Sequence, residues 1–446
     1  MAESLLRSLP RLSTFLRLGA GLALVTLGAL TTTAASYDLA DALEAVDDTN
    51  LSVLLSRETV LQTMETATQA RAGLLPNLTL DASQRRSQSA SFGSTVSRNG
   101  INNRFDVGLN GRLDLLDPQT IATHQAAKIG ILVARQNAES TRETVRAAVA
   151  TVFLQHRRNL ARLDLINADI TRADALLDLA VRQRDAGVAT QIDVTRAQAQ
   201  LAIAQQARLQ QETEVRATEL QFIRLLALPV DTPVSLAPFA VTISTSESTV
   251  LVSPEDQAFA HRADYQSSAQ RLEQSDLEVR AAKFNRLPSL SLNGNYGRAS
   301  ATAFDGEDAA VWSAGVSLSV PVFDGLRTGS LTRLALSRRR ANQLRHEDLT
   351  RGISAEVQLA LQDTASRRAQ IQVAQTSLAL AEDELELAQI RFEQGAADNR
   401  EMIEAQNRLA VASDNLLGAT LQYNLSRVEL ARVTGDVRAI LREQAP

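Results

Sequence analysis

The sequence contains no cysteine among its 446 residues. That excludes disulfides, a thiol nucleophile and a lipid anchor on cysteine, and it is compatible with an oxidising compartment. Aromatic residues make up only 4%, with a single tryptophan, fewer than a compact globular core usually carries. The net charge is −5, so bulk nucleic-acid binding has no support. No apolar run reaches the roughly 20 residues of a membrane-spanning helix. Histidine is scarce: His124, His156, His261 and His346 stand apart on helical stretches and read as helix-surface positions. The stretch HEDLT at 346–350 lacks the second histidine of a zinc motif, and neither GxSxG nor a phosphate loop occurs. SRRR at 337–340 reads as a solvated helix face. The expectation is a protein that is not an enzyme, with no cofactor and no metal site.

What is present starts with a secretory signal, expected over residues 1–35. MAESLLRSLPRLSTFLR carries three arginines, LGAGLALVTLGAL (18–30) is a short apolar run, and small residues surround Ala35 and Ser36. A membrane anchor is the alternative, disfavoured by the shortness of the run.

The remainder is written twice. RAGLLPNLTLDAS (71–83) aligns with KFNRLPSLSLNGN (283–295), and FDVGLNGRLDLLD (105–117) with WSAGVSLSVPVFD (312–324). RDAGVATQIDVTRAQAQLA (184–202) aligns with FEQGAADNREMIEAQNRLA (392–410). The order is kept and the offset is nearly constant. Repeats are therefore expected at 36–228 and 255–446, joined by a linker at 229–254 that is rich in proline, serine and threonine. Each repeat reads as a helix, two strands, a very long helix, a break at glycine and a long return helix. The strands are expected at about 77–91 and 104–115, then at about 289–298 and 311–321. The hairpin tips fall near 187 and 395.

The long helices carry a heptad seam. Ile371, Ala374, Leu378, Ala381, Leu385, Ala388 and Phe392 step by three and four, as do Met402, Ala405, Leu409, Ala412, Leu416, Ala419 and Tyr423. Leu163, Ile166, Ile170, Ala173, Leu177 and Ala180, then Val194, Ala197, Leu201 and Ala204, repeat the pattern. This spacing packs knobs into holes and is shared by any antiparallel coiled coil, including a soluble rod.

The strands separate these classes. Phe105, Val107 and Leu109 alternate with polar residues, and so do Trp312, Val316 and Leu318. Period two with long polar loops suits a transmembrane barrel, apolar toward lipid, and also a small soluble sheet. Four strands cannot close a barrel, and open edges are not tolerated in lipid, so the membrane reading requires an oligomer.

Several residues carry a family resemblance. They are the LP-x-L-x-L starts at 75–80 and 287–292, VFDG at 322–325 with its partner LLDP at 115–118, RADYQSSAQRLEQSDLEVRAAKFNRLPSLSL at 262–292, and the glycine breaks. In duplicated order they make the chain resemble the TolC family of outer membrane factors. The resemblance implies a mainly α fold with a membrane β-barrel portion: a homotrimer with one twelve-stranded barrel in the outer membrane lipid and a helical tunnel across the periplasm of a Gram-negative bacterium. It also implies an inner-membrane pump or transporter and a periplasmic adaptor (membrane fusion protein) as partners. A periplasmic coiled-coil adaptor and a structural rod are the rivals; an adaptor normally carries a single hairpin and a lipoyl-like domain.

The helix breaks are the candidate site. Gly187 and Gly395 can take positive φ and end a helix, and Thr190 and Asp398 can cap the return. Glu401 and Glu404 share one face of the first turn, where acids are favourable in any helix. Repeated about a threefold axis they would form a carboxylate ring that selects cations. The resemblance implies the same, since both positions match the family's aperture acids. The first repeat has Asp193 and Arg196 there, so only the second has both acids. The resemblance also implies a polar latch at the tip. Asp193 matches its acid, but its tyrosine partner is Phe392 here and its arginine partner falls on Ala397. Arg400 is the candidate substitute. A tip closed more by packing than by polar links is expected.

Overall fold

The computed structural model describes residues 35–91, 98–237, 253–303, 308–394 and 399–442. Residues 1–34 of the expected signal peptide and most of the linker lie outside these bounds, as do Gly395, Ala397 and Asp398. Strand β1 (Ala35–Tyr37) leads into α1 (Leu39–Thr49) and α2 (Leu51–Ala72). Strands β2 (Asn77–Ser91) and β3 (Arg98–Leu116) follow, then α3 (Pro118–Asp185) and α4 (Gln191–Leu225). After β4 (Val234–Leu236) and α5 (Pro254–His261), the order recurs as α6 (Ala263–Phe284), β5 (Ser289–Ser300) and β6 (Ala309–Ser319), then α7 (Arg327–Glu393) and α8 (Asn399–Thr434). The short α9 (Ala439–Arg442) ends the described chain.

Helices α3 and α7 have 68 and 67 residues, each about 100 Å long at 1.5 Å per residue. The LLDP and VFDG motifs start them. Asp117 accepts from the amides of Gln119 and Thr120 at 3.1 and 3.3 Å, with Pro118 in the first turn. Asp324 accepts from the Thr328 amide at 2.7 Å, and the Thr328 hydroxyl together with that amide holds its carboxyl below the usual range. Both carboxylates thus satisfy amides that a helix start leaves without partners.

The four long strands form one antiparallel sheet in the order β2-β3-β5-β6. Register places Leu80, Leu109, Tyr296 and Trp312 in a row across all four strands. Neighbouring rows on the same face hold Leu113, Leu292 and Val316, then Leu290 and Leu318. Val107 and Phe105 extend this face upward on β3, where Arg298, Gln84 and Ser300 stand beside them on the neighbouring strands. The other face is polar and linked within itself: Asn110 donates to Asp81 at 2.6 Å, and Arg112 pairs with Asp114 at 3.1 Å. Gly108 and Gly297 sit directly opposite one another, and a Cβ on Gly297 would meet the Val107 carbonyl oxygen at 2.4 Å. The outer edges of β2 and β6 have no partner among the described residues.

The main apolar core lies midway along the molecule, not at the sheet. Leu39, Leu43 and Val46 of α1 pack there against Val149 and Phe153 of α3, Phe222 of α4, Val428 of α8 and Ile440 of α9. Two buried arginines flank this core. Arg146 binds Asp47 at 2.9 Å and Glu143 at 2.5 Å, while Arg262 binds Asp264 at 2.7 Å and Glu356 at 2.6 Å. Both of these buried charges are paired, the condition for tolerating them.

The seam residues follow their heptads. Every one of them in the four long helices is buried or half-buried. One expectation is corrected: His156 is not on a helix surface. It is buried between α3 and α4, its Nδ1 2.9 Å from the Thr218 hydroxyl, and burial holds its pKa below the ordinary value.

Candidate functional site

The first hairpin turns through a glycine. Gly187 has φ +76° and donates to the Arg184 carbonyl at 2.9 Å, while the Val188 amide reaches back to Gln183 at 2.9 Å. These paired bonds satisfy the last carbonyls of α3 and turn the chain in a left-handed step. Thr190 then starts α4. Its amide and hydroxyl donate to Asp193 Oδ2 at 3.0 and 2.6 Å, and Arg196 stands 3.6 Å from Oδ1. The Thr190 bonds hold the Asp193 carboxyl below the usual carboxylate range. Asp193 is therefore engaged by its own helix start.

The second hairpin brings Phe392 inward. With Ala388 it belongs to one buried cluster that also holds Leu176 and Ala180 of α3, Val194 and Ala197 of α4, and Met402 and Ala405 of α8. All four long helices contribute to this cluster, so the aromatic ring sits where the two hairpins meet. One polar link lies nearby: Gln200 donates to Asn407 at 2.7 Å between α4 and α8. Farther up, Arg158 and Arg162 of α3 reach Asp414 of α8 at 2.8 and 3.2 Å.

Glu401 and Glu404 lie on the first turns of α8, partly exposed, and each faces arginine. Arg391 Nη2 is 3.4 Å from Glu401, Arg400 Nε is 2.8 Å from Glu404, and Arg408 bridges Glu404 at 3.8 Å and Glu384 at 3.0 Å. The two acids and Arg400 stand out in the sequence; Arg391, Arg408 and Glu384 join them in the fold. The i, i+4 steps 400–404–408 are legible as helical charge pairs; the α7 partners are not, because they depend on how α7 and α8 dock. Exposed pairs of this kind contribute about 0–1 kcal/mol each. Their larger effect is on the local field, which is close to balanced instead of strongly negative.

Among the described residues no group of three or more His, Asp or Glu side chains could hold a metal ion. No described helix is long and apolar enough to cross a membrane.

The sequence profile described as outer membrane efflux protein matches residues 34–228 and 256–436. Among curated relatives, outer membrane protein OprJ of Pseudomonas aeruginosa is 27% identical over 379 residues, covering 82% of this chain and 77% of its own. Outer membrane protein TolC of Vibrio cholerae is 24% identical over 403 residues, covering 87% of each. In fold, the CmeC outer membrane channel of Campylobacter jejuni matches with a TM-score of 0.79 at 18% identity, over 91% of this chain and 89% of that one. CusC matches at 0.80 with 16% identity, over 93% and 96%. With two long helical hairpins, an apolar-faced sheet and a profile match over both halves, the chain belongs to the outer membrane efflux protein family.

Proposed function

We propose that three copies of this chain build one duct through the outer membrane and the periplasm, each giving four strands to a closed twelve-stranded barrel and two hairpins to a helical tunnel. The observation that carries this reading is the sheet. It has one mainly apolar face, interrupted toward its upper end by Arg298, which pairs with Asp308, a hydrogen-bonded polar face and two open edges, all at one end of rods about 100 Å long. Unpaired edges are unstable in hydrocarbon, and closure by copies of the same chain removes them. In this reading Phe105, Val107, Leu109, Trp312, Val316 and Leu318 face lipid, and the polar face lines the lumen. The two halves, each a helix, a strand pair and a long hairpin, are structural repeats joined near the middle of the molecule.

The hairpin tips form the periplasmic mouth, closed until a periplasmic adaptor and an inner-membrane pump engage it. Relatives are named for the export of toluene, pyoverdine and antibiotics. We therefore assign the choice of cargo to the pump. Packing around Phe392 supports a tip held shut mainly by apolar contact. Glu401 and Glu404, repeated three times, ring the mouth and are moderated by Arg391, Arg400 and Arg408.

Ion selectivity in planar bilayers tests the assignment of the mouth. The parent channel is expected to prefer cations modestly. The double variant Glu401→Gln with Glu404→Gln leaves the arginines in excess, so its reversal potential is expected to change sign toward anions. An unchanged reversal potential sinks the ring.

A further inference from the structure

At the foot of the β5–β6 pair, the turn from α6 into β5 faces the loop from β6 into α7 across an open cleft of about 450 Å³. Asn285 and Arg286 line one side; Val322, Phe323, Asp324 and Arg333 line the other. The cleft lies just below the foot of the sheet, where Ser289 and Ser319 form the last strand pair and Leu290 and Leu318 the lowest apolar row. Val322 and Phe323 are 94% and 83% exposed.

Two guanidinium groups converge on the floor of this cleft. A Cβ placed on Gly329 would lie 3.6 Å from Arg333 Nη1 and 3.7 Å from Arg286 Nη2. The floor is open because Gly329 carries no side chain. Among the described residues neither arginine has an ion pair. Asp324, on the cleft wall, is engaged in capping α7. Lys283 and Arg327 are exposed on the flanking helix ends and add positive charge. Two like charges drawn together repel unless an anion lies between them. A phosphate suits that place: it accepts from two guanidinium forks at once, and the span over one glycine is short enough for it to bridge. The exposed aliphatic and aromatic side chains beside it suit hydrocarbon.

We propose that this cleft binds the phosphate of an anionic phospholipid in the periplasm-facing leaflet. Arg286 and Arg333 hold the phosphate, and Phe323 and Val322 lie against its acyl chains. The inference rests on the sheet being the membrane wall.

The test uses the full chain in phosphatidylcholine vesicles containing phosphatidylglycerol, with bromine on the acyl chains of one lipid or the other. Trp312 is the only tryptophan, so the pair Trp312→Phe with Phe323→Trp moves the fluorescent reporter to the cleft. At equal mole fraction, brominated phosphatidylglycerol is expected to quench this reporter more strongly than brominated phosphatidylcholine. Adding Arg286→Gln and Arg333→Gln is expected to lower that preference about fivefold per arginine. Absence of preference in the reporter protein overturns the proposal, whether or not the arginine variant folds. So does an undiminished preference without the arginines, or its abolition by millimolar inorganic phosphate, which would mark a site for the free ion. Failure of both lipids to quench the reporter also overturns it, because a second copy of the chain would then cover the cleft. The membrane reading is checked separately with the native tryptophan. If no brominated lipid quenches Trp312, that reading fails, and the lipid site with it.

Discussion

Gly187 and Gly435 share a left-handed backbone, with φ of +76° and +89°. Each lies just past the end of a long helix, and their surroundings differ. A Cβ on Gly187 would meet nothing within 4 Å, whereas on Gly435 it would lie 2.9 Å from both the Arg262 amide nitrogen and the His261 carbonyl carbon. Gly187→Ala is expected to cost only the left-handed penalty, about 1–2 kcal/mol. Gly435→Ala adds a backbone clash beside a buried ion-paired arginine, for a total of about 2–4 kcal/mol. Thermal unfolding of the two variants in detergent measures the difference; equal shifts would refute the packing argument. In the sequence Gly187 stands out because it opens a duplicated break. Gly435 has no such twin, although Thr434-Gly435-Asp436 after a helical run is a legible stop. The tightness of that stop was not legible, since Arg262 lies far away in the sequence. Arg146 with Asp47 and His156 with Thr218 stayed hidden for the same reason. Periodicity tells which face turns inward, but it does not tell which distant side chain waits there.

At the scale of elements, the heptad seams made the long helices and their buried stripes readable, because three-and-four spacing leaves few other ways to bury alanine and leucine together. The neighbours of Phe392 were harder to read. They come from all four long helices, and how two hairpins dock depends on the turns between the helices. Removing the ring tests what holds the tip. Phe392→Ala takes a nearly buried aromatic from the junction, a change that costs about 3–5 kcal/mol in a packed core. Conductance in planar bilayers is expected to rise several-fold in this variant, with more frequent openings. Asp193→Ala disturbs mainly the start of α4 and is expected to change conductance little. If the aspartate variant opens the channel as far as the phenylalanine variant, polar links carry the closure instead.

For the whole molecule, the open edges of β2 and β6 are the decisive feature. Strand direction alternates across the sheet, so β6 of one copy can continue antiparallel into β2 of the next. The absence of native cysteine makes this directly testable. Single cysteines introduced on facing positions of β2 and β6 are expected to cross-link in the membrane into a ladder that stops at three chains after oxidation. A ladder ending at two chains, or none at any register, would contradict the trimeric barrel. The lengths of α3 and α7 carry a further consequence. The helices are rods of 68 and 67 residues, and each residue advances a rod by 1.5 Å and turns it by about 100°. A one-residue deletion in either rod would displace one tip against the other and rotate every side chain beyond the cut out of the seam. Only compensating changes in both rods would keep the two tips level, so the two halves of this chain are expected to drift in length together, like the legs of a stool on a flat floor.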